Sequence, residues 1–307
     1  MPSRLESEQS GALSGLDPTS TVWPSVFPRT AGALASFGRK SPLGVVGLVI
    51  LAVVCVAALG AKWIAPYGPL ELGDRPLTGP SSEHWAGTDQ FGRDILSRII
   101  YGARISLLIA IVVISVGGVL ATVIGMATTY AGGPIEYVWQ RFVDAVMALP
   151  SLVLLLGILS VVSPSVLAVI TILSLRFSIT NTRYIRAVTL GALASDYVLS
   201  AKVVGASPAR TLFRHILPNI VSLIIVLLSY EVGTVILIEA SLSFLGYGVP
   251  PPQPTWGGML ARDGRTYMIV APWMLVAPAV ALSLVVFAVN VVGDALRDSL
   301  DPRLRGL

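Results

Sequence analysis

Long uncharged apolar runs, rather than alternating ones, organise this chain. The first starts at Leu43 and continues without a charge to Ala61. About 18 consecutive apolar residues suffice to cross a bilayer as a helix, so this run reads as a span. Arg39-Lys40 before it and Trp63 and Tyr67 after it are the expected inner anchor and outer aromatic belt. The same pattern predicts a second span over Ile105 to Tyr130, a third over Phe142 to Val162 with a kink at Pro150, and a fourth over Ser165 to Ala187. The uncharged stretch Ala145 to Leu175 is too long for one span, and Ser163-Pro164 supplies the corner. A fifth span is expected over Ile220 to Phe244 and a sixth over Pro272 to Val292. The expected fold class is an all-α integral membrane protein with six transmembrane helices. A cytoplasmic tail over 1–42, a spanning domain over 43–295 and a cytoplasmic tail over 296–307 complete the plan.

Composition agrees. With 54% hydrophobic and only 12% charged residues, the chain is far from a soluble domain, in which about a quarter of residues are charged. The net charge of +4 is read as a topology signal rather than a nucleic-acid footprint. The first apolar run is too long for a signal-peptide core and lacks a small-residue cleavage site. With Arg39-Lys40 inside, both termini are cytoplasmic, residues 65–104 and 246–271 are external, and 188–219 is cytoplasmic. The single Cys55 lies in an apolar run and is expected as a small packing residue.

Asp196 to Asn219 is the one long polar interruption of the apolar two-thirds. A short helix should end at Gly205, which takes the left-handed conformation without a Cβ penalty. Ser207 is a good N-cap, Pro208 suits the first helical position, and Pro218 marks the next break. Arg210, Arg214 and His215 on the second helix would offer charge beside Leu212, Phe213, Ile216 and Leu217. An ordinary inter-span loop is the alternative. On the other side, Thr88 or Asp89 should cap an interfacial helix carrying Ile95, Leu96, Ile99 and Ile100. Pro250 to Pro254 form a stiff shelf, and Trp256 is either an anchor for a partner or part of the lipid belt.

Resident chemistry is sparse. There is no G-x-x-x-x-G-K-[ST] loop to cradle ATP and no G-x-S-x-G elbow. His84 and His215 fall on opposite sides of the membrane, so no metal site is expected. The intramembrane charges Arg176 and Glu231, at mid-span, and Glu239, nearer the outer end, must face the interior. They read either as a polar patch on a substrate path or as a buried ion pair that fixes helix register.

Four blocks carry a family resemblance: GTDQFGRDILSRIIYGARISL, the pair Arg183 and Arg186, SAKVVGASPARTLFRHILPN, and IEASLSFLGYGVPPPQPTWGGML with FAVNVVGDALRDSLDPRL. Over residues 38 to 305 the chain resembles the second permease subunit of bacterial ABC importers for dipeptides, oligopeptides and nickel. The resemblance implies a type I importer permease fold in the bacterial cytoplasmic membrane. It implies a heterodimer with a related permease, cytoplasmic ATPase subunits that bind ATP and Mg, and an extracytoplasmic binding protein. It also implies that Ala201, Lys202, Gly205, Ala206, Ser207, Arg210, Arg214, His215, Pro218 and Asn219 form the loop that docks on the ATPase. Asp89, Arg93, Pro251, Pro252, Thr255 and Trp256 are expected on the rim that receives the binding protein. Peptide is the expected cargo, with nickel or another small solute as the alternative. An ion-coupled secondary carrier, or a membrane scaffold that transports nothing, are the readings from other classes. In this chain Leu199-Ser200-Ala201 stands where the family's loop has Glu-Ala-Ala, and an aromatic usual before the paired arginines is replaced around Ser178.

Overall fold

The computed structural model describes residues 41–300, with the side chains at 262, 263 and 300 left aside; the expectation for the tail 1–42 falls almost wholly outside it, as does that for 301–307. The described chain is helical. Elements α1 (Pro42–Leu59) and α2 (Ala61–Ile64) lead into an irregular segment over 65–94. They are followed by α3 (Ile95–Ala131), α4 (Gly133–Ala148), α5 (Ser151–Leu159), α6 (Val166–Leu193) and α7 (Asp196–Val203). The continuous helix α8 (Pro208–Phe244) precedes α9 (Trp256–Leu260), α10 (Arg262–Thr266) and α11 (Trp273–Leu300). Among the described residues five helices are long and apolar enough to span, or six spans if the α4–α5 pair counts as one bent span.

Glycine spacing sets how closely α3 meets α6. Gly117, Ala121 and Gly125 recur every fourth residue and so share a face. A Cβ on Gly117 would lie 2.8 Å from the Phe177 ring, and one on Gly125 2.8 Å from Ile185 Cβ. Without those carbons the two helices pack backbone to side chain, as small residues permit in membranes. Ile109, Val113, Leu155, Val169, Ile236 and Val285 fill the core between the long helices. Helix α1 joins at the edge, where Gly47 allows the backbone of Ala288 to approach.

Four expectations are corrected. The helix that includes Ile95 to Ile100 is not a separate interfacial element but the first turns of the 37-residue α3. Its cap is Asp94, whose Oδ2 accepts from the Ser97 N–H at 2.7 Å, because Thr88 and Asp89 are occupied in a tight turn upstream. The third span is bent by 89° between Ala148 and Ser151. Pro150 lacks an N–H and forces Leu149 into an extended conformation (φ −87°, ψ 136°), so the kink is a full break. Pro218 does not end a helix. The residues before it, Thr211–Ile216, widen into a π turn in which Leu217 N–H bonds to Leu212 O, five residues back. The wider turn accommodates the proline ring, and the chain continues as α8. Cys55, finally, is exposed on the outside of the bundle rather than packed within it.

The helices give the bundle two distinct ends. Residues 65–94, the α5–α6 corner and residues 246–271 gather at one, here called the cap face. The α3–α4 junction, α7 and the π turn lie at the other, the turn face.

Candidate functional site

At the turn face, α7 ends in two capping bonds: Gly205 N–H donates to Lys202 O and Ala206 N–H to Ala201 O, both at 3.0 Å. This is a Schellman end, and it requires the left-handed Gly205, whose φ is +84°. Two residues on, Ser207 Oγ accepts from Arg210 N–H at 3.4 Å, with Pro208 at the first position of α8. Asn219 Nδ2 donates to His215 O at 2.6 Å across the π turn. The inner face is apolar, with Val198, Leu212, Ile216 and Ile220 packed on Ala121, Met126 and Ile185. The outer face is also apolar at its tip, where Val203 and Val204 are each 88% exposed and Phe213 is half exposed. Lys202, Gly205, Ser207, Arg210, Arg214, Pro218 and Asn219 are exposed around it, with Ala201, Ala206 and His215 partly so. Lys202 stacks on Tyr130 with its Nζ 5.1 Å from the ring centroid, which ties α7 to α3. Leu199, at the place of the family's glutamate, is exposed too.

A polar seam, unforeseen apart from Arg183 and Arg186, joins the bent pair to α6. Arg186 Nε meets Glu136 Oε1 at 2.6 Å, Arg183 pairs with Asp144, and Arg141 meets Asp144 at 3.1 Å. Between them, Trp139 Nε1 donates to Thr182 Oγ1 at 3.2 Å. Glu136, Gln140 and Asp144 stand four residues apart and so share one face of α4, a stripe visible in the sequence had α4 been read as a helix. Farther along, the Arg176 guanidinium donates to Ser151 Oγ at the break of the bent pair. Arg176 and Glu231 do not form an ion pair within 4.0 Å, although each lies in the field of the other. Both are half-buried. A charge in the centre of a spanning helix costs about 2.5–3.5 kcal/mol against lipid, which disfavours an orientation toward hydrocarbon for either.

Glu239 behaves differently. It is 1% exposed, and its Oε1 accepts from Ser243 Oγ at 2.8 Å while its Oε2 is buried with no hydrogen-bond partner among the described residues. It lies in α8 under the cap, where Ser106 Oγ of α3 accepts from Trp256 N–H at 3.4 Å.

The cap corrects the rim. Asp89 is 3% exposed: Oδ1 accepts from the Phe91 and Arg93 N–H groups at 2.9 and 3.0 Å, and Oδ2 from Arg93 Nε at 2.6 Å. With Arg98 Nε at 3.7 Å as well, Asp89 clamps its own loop. Thr255 and Trp256 are each 1% exposed. Thr255 caps α9, and the Trp256 indole N–H donates to Ile99 O at 3.1 Å. These three residues therefore offer nothing to an external protein. Pro251 and Pro252 are exposed, and with Phe91, Arg93, Tyr247 and Arg265 they border a cleft of about 890 Å³ in the cap face.

A bundle of long apolar helices, with charges in its interior and a rigid turn displayed at one end, is the architecture of a membrane permease. Residues 117–306 match the family model "Binding-protein-dependent transport system inner membrane component", and residues 39–79 match "N-terminal TM domain of oligopeptide transport permease C". The chain is 39% identical to a putative peptide transport system permease protein of Brucella suis biovar 1 (strain 1330), over 85% of this chain and 88% of that one. It is 37% identical to the dipeptide transport system permease protein DppC of Alkalihalophilus pseudofirmus, over 87% and 88% respectively. It is 38% identical to the glutathione transport system permease protein GsiD of Escherichia coli O1:K1 / APEC, over 87% and 89%. The chain belongs to this family of inner membrane components and is an ABC-importer permease for peptides or related substrates. Its role is that of a non-catalytic membrane component, which implies ATPase and binding-protein partners.

Proposed function

We propose that this chain is one half of a heterodimeric permease that imports dipeptides or oligopeptides, with its turn face docked on a cytoplasmic ATPase. The observation that carries the reading is the turn itself. A Schellman end, a left-handed glycine and a serine cap hold two helices in fixed relation, while Val203 and Val204 project almost bare at the tip. A solvated pair of valines on a locally rigid support is a surface for a protein groove, and the basic Arg210 and Arg214 beside it are the inner-side charges expected of a cytoplasmic loop. On this orientation both termini are cytoplasmic and the cap face is external. ATP-driven closure of the ATPases would draw the two permeases' turns together and alternate the path between inward-open and outward-open states. The names of the relatives support peptide cargo.

Gly205→Val tests the docking. No atom lies within 4 Å of a Cβ built there, so the only penalty is the left-handed backbone, about 1–2 kcal/mol. The variant should insert and assemble but lose peptide uptake and the ATPase response to loaded binding protein. Wild-type coupling in the assembled variant refutes the docking assignment.

A further inference from the structure

Arg176 and Glu231 lie in the two spans that flank the bent pair, at comparable depth. Counting about 1.5 Å per residue from Val166 and from Phe244, they sit roughly 15 and 20 Å below the cap face. Helix α5 packs against both spans, and its first residue, Ser151, holds the Arg176 guanidinium. The break at Pro150 thus places the Ser151 hydroxyl on the Arg176 guanidinium. Thr180 and Arg183 follow Arg176 at four and seven residues, so the same side of α6 stays polar toward the turn face. Ser229 and Tyr230 precede Glu231, with the Tyr230 hydroxyl committed to Asp294 at 2.6 Å.

Two opposite charges, half-buried at mid-span, form no ion pair with each other within 4.0 Å. An ion of one sign would gain from one residue and be repelled by the other. A solute carrying both signs satisfies both. Two residues of extended chain reach about 7 Å, which suits charges kept beyond contact distance.

We infer that Arg176 and Glu231 form a subsite for a zwitterion in the translocation path, Arg176 receiving the terminal carboxylate of a peptide and Glu231 its ammonium. The inference rests on the peptide reading above and adds the part of the peptide recognised. Ser151 acts as a positioning residue for the guanidinium.

The test uses the complete importer in proteoliposomes with its binding protein. Two dipeptides of the same sequence are compared, one with a free C-terminus and one amidated, chosen by calorimetry for equal affinity to the binding protein. Maximal uptake by the wild type should favour the free peptide. Arg176→Gln should slow the free peptide about tenfold and leave the amidated one within about twofold, while Arg176→Lys keeps the preference. Glu231→Gln should do the same for free against N-acetylated peptides. A parallel fall for both peptides, or equal rates in the wild type, overturns the subsite. Should Arg176→Gln not assemble, the wild-type and Arg176→Lys preferences decide on the same criterion. Uptake of neither peptide by the wild type refutes the peptide reading, and the subsite with it.

Discussion

At the cap face Trp256 is 1% exposed, with its indole N–H on Ile99 O and the face of Gly102 beneath it. At the turn face Val203 and Val204 are 88% exposed, and no atom lies within 4 Å of a Cβ built on Gly205. The cap is held by contacts between elements far apart in sequence: Trp273 Nε1 to Thr88 O, Trp256 Nε1 to Ile99 O, and Trp256 N–H to Ser106 Oγ. The turn is held by bonds between residues three to five apart, namely the Schellman pair, the Ser207 cap and the π turn. A push on the cap is therefore delivered to α3, α8 and α11 together. A push on the turn tip travels through a short, self-supporting lever into α8 and, through Val198 and Ile216, into α3 and α6. One end distributes load among spans, and the other presents a handle whose shape does not depend on what grips it.

The contrast is sharpest if stability is measured at both ends. Trp256→Ala should destabilise the detergent-purified complex by about 3–5 kcal/mol, the range for deleting a fully buried large aromatic. Thermal unfolding read by tryptophan fluorescence would show it, and wild-type stability would mean that the cap is not integral to the bundle. Gly92→Ala should cost about 3 kcal/mol by a different route. Its φ is +74° and a Cβ would lie 2.2 Å from Gly73 O, so both left-handed strain and a backbone collision act, and neither partner can rotate away.

The turn was legible and the cap was not, for the same reason. Gly205, Ser207 and Pro208 act through local backbone rules, and each stands where those rules put it. Trp256 and Asp89 owe their burial to residues about 150 positions away or to the folding of a proline-rich loop, neither of which periodicity reports. The effect of a proline depends on its surroundings, which the local sequence does not report. At Pro150 the chain turned by 89°, whereas at Pro218 a π turn absorbed the ring and the helix ran on. The acidic stripe of α4 is hidden by a third span that starts at Phe142, because this separates Glu136 and Gln140 from Asp144. The six apolar segments themselves were unmistakable, since a run of apolar residues needs no partner to announce a membrane.

The smallest effect on stability belongs at the turn tip, and it separates a handle from an ordinary loop. Val204 is 88% exposed, so Val204→Ser removes almost no buried contact and should change stability by less than about 0.5 kcal/mol. It also leaves the Schellman bonds intact, because they use the backbone of Ala201, Lys202, Gly205 and Ala206. If the tip fills a groove on the ATPase, the same change removes an apolar anchor from an interface centre, where truncation costs about 1–2 kcal/mol or more. The ATPase response to loaded binding protein should then fall roughly tenfold while the unfolding temperature stays put. Lys202→Ala serves as the contrast, since its loss of stacking on Tyr130 should loosen α7 from α3 without touching the tip. A Val204→Ser complex that couples as well as the parent would show that the exposed valines are incidental, and the turn would revert to a connection between spans.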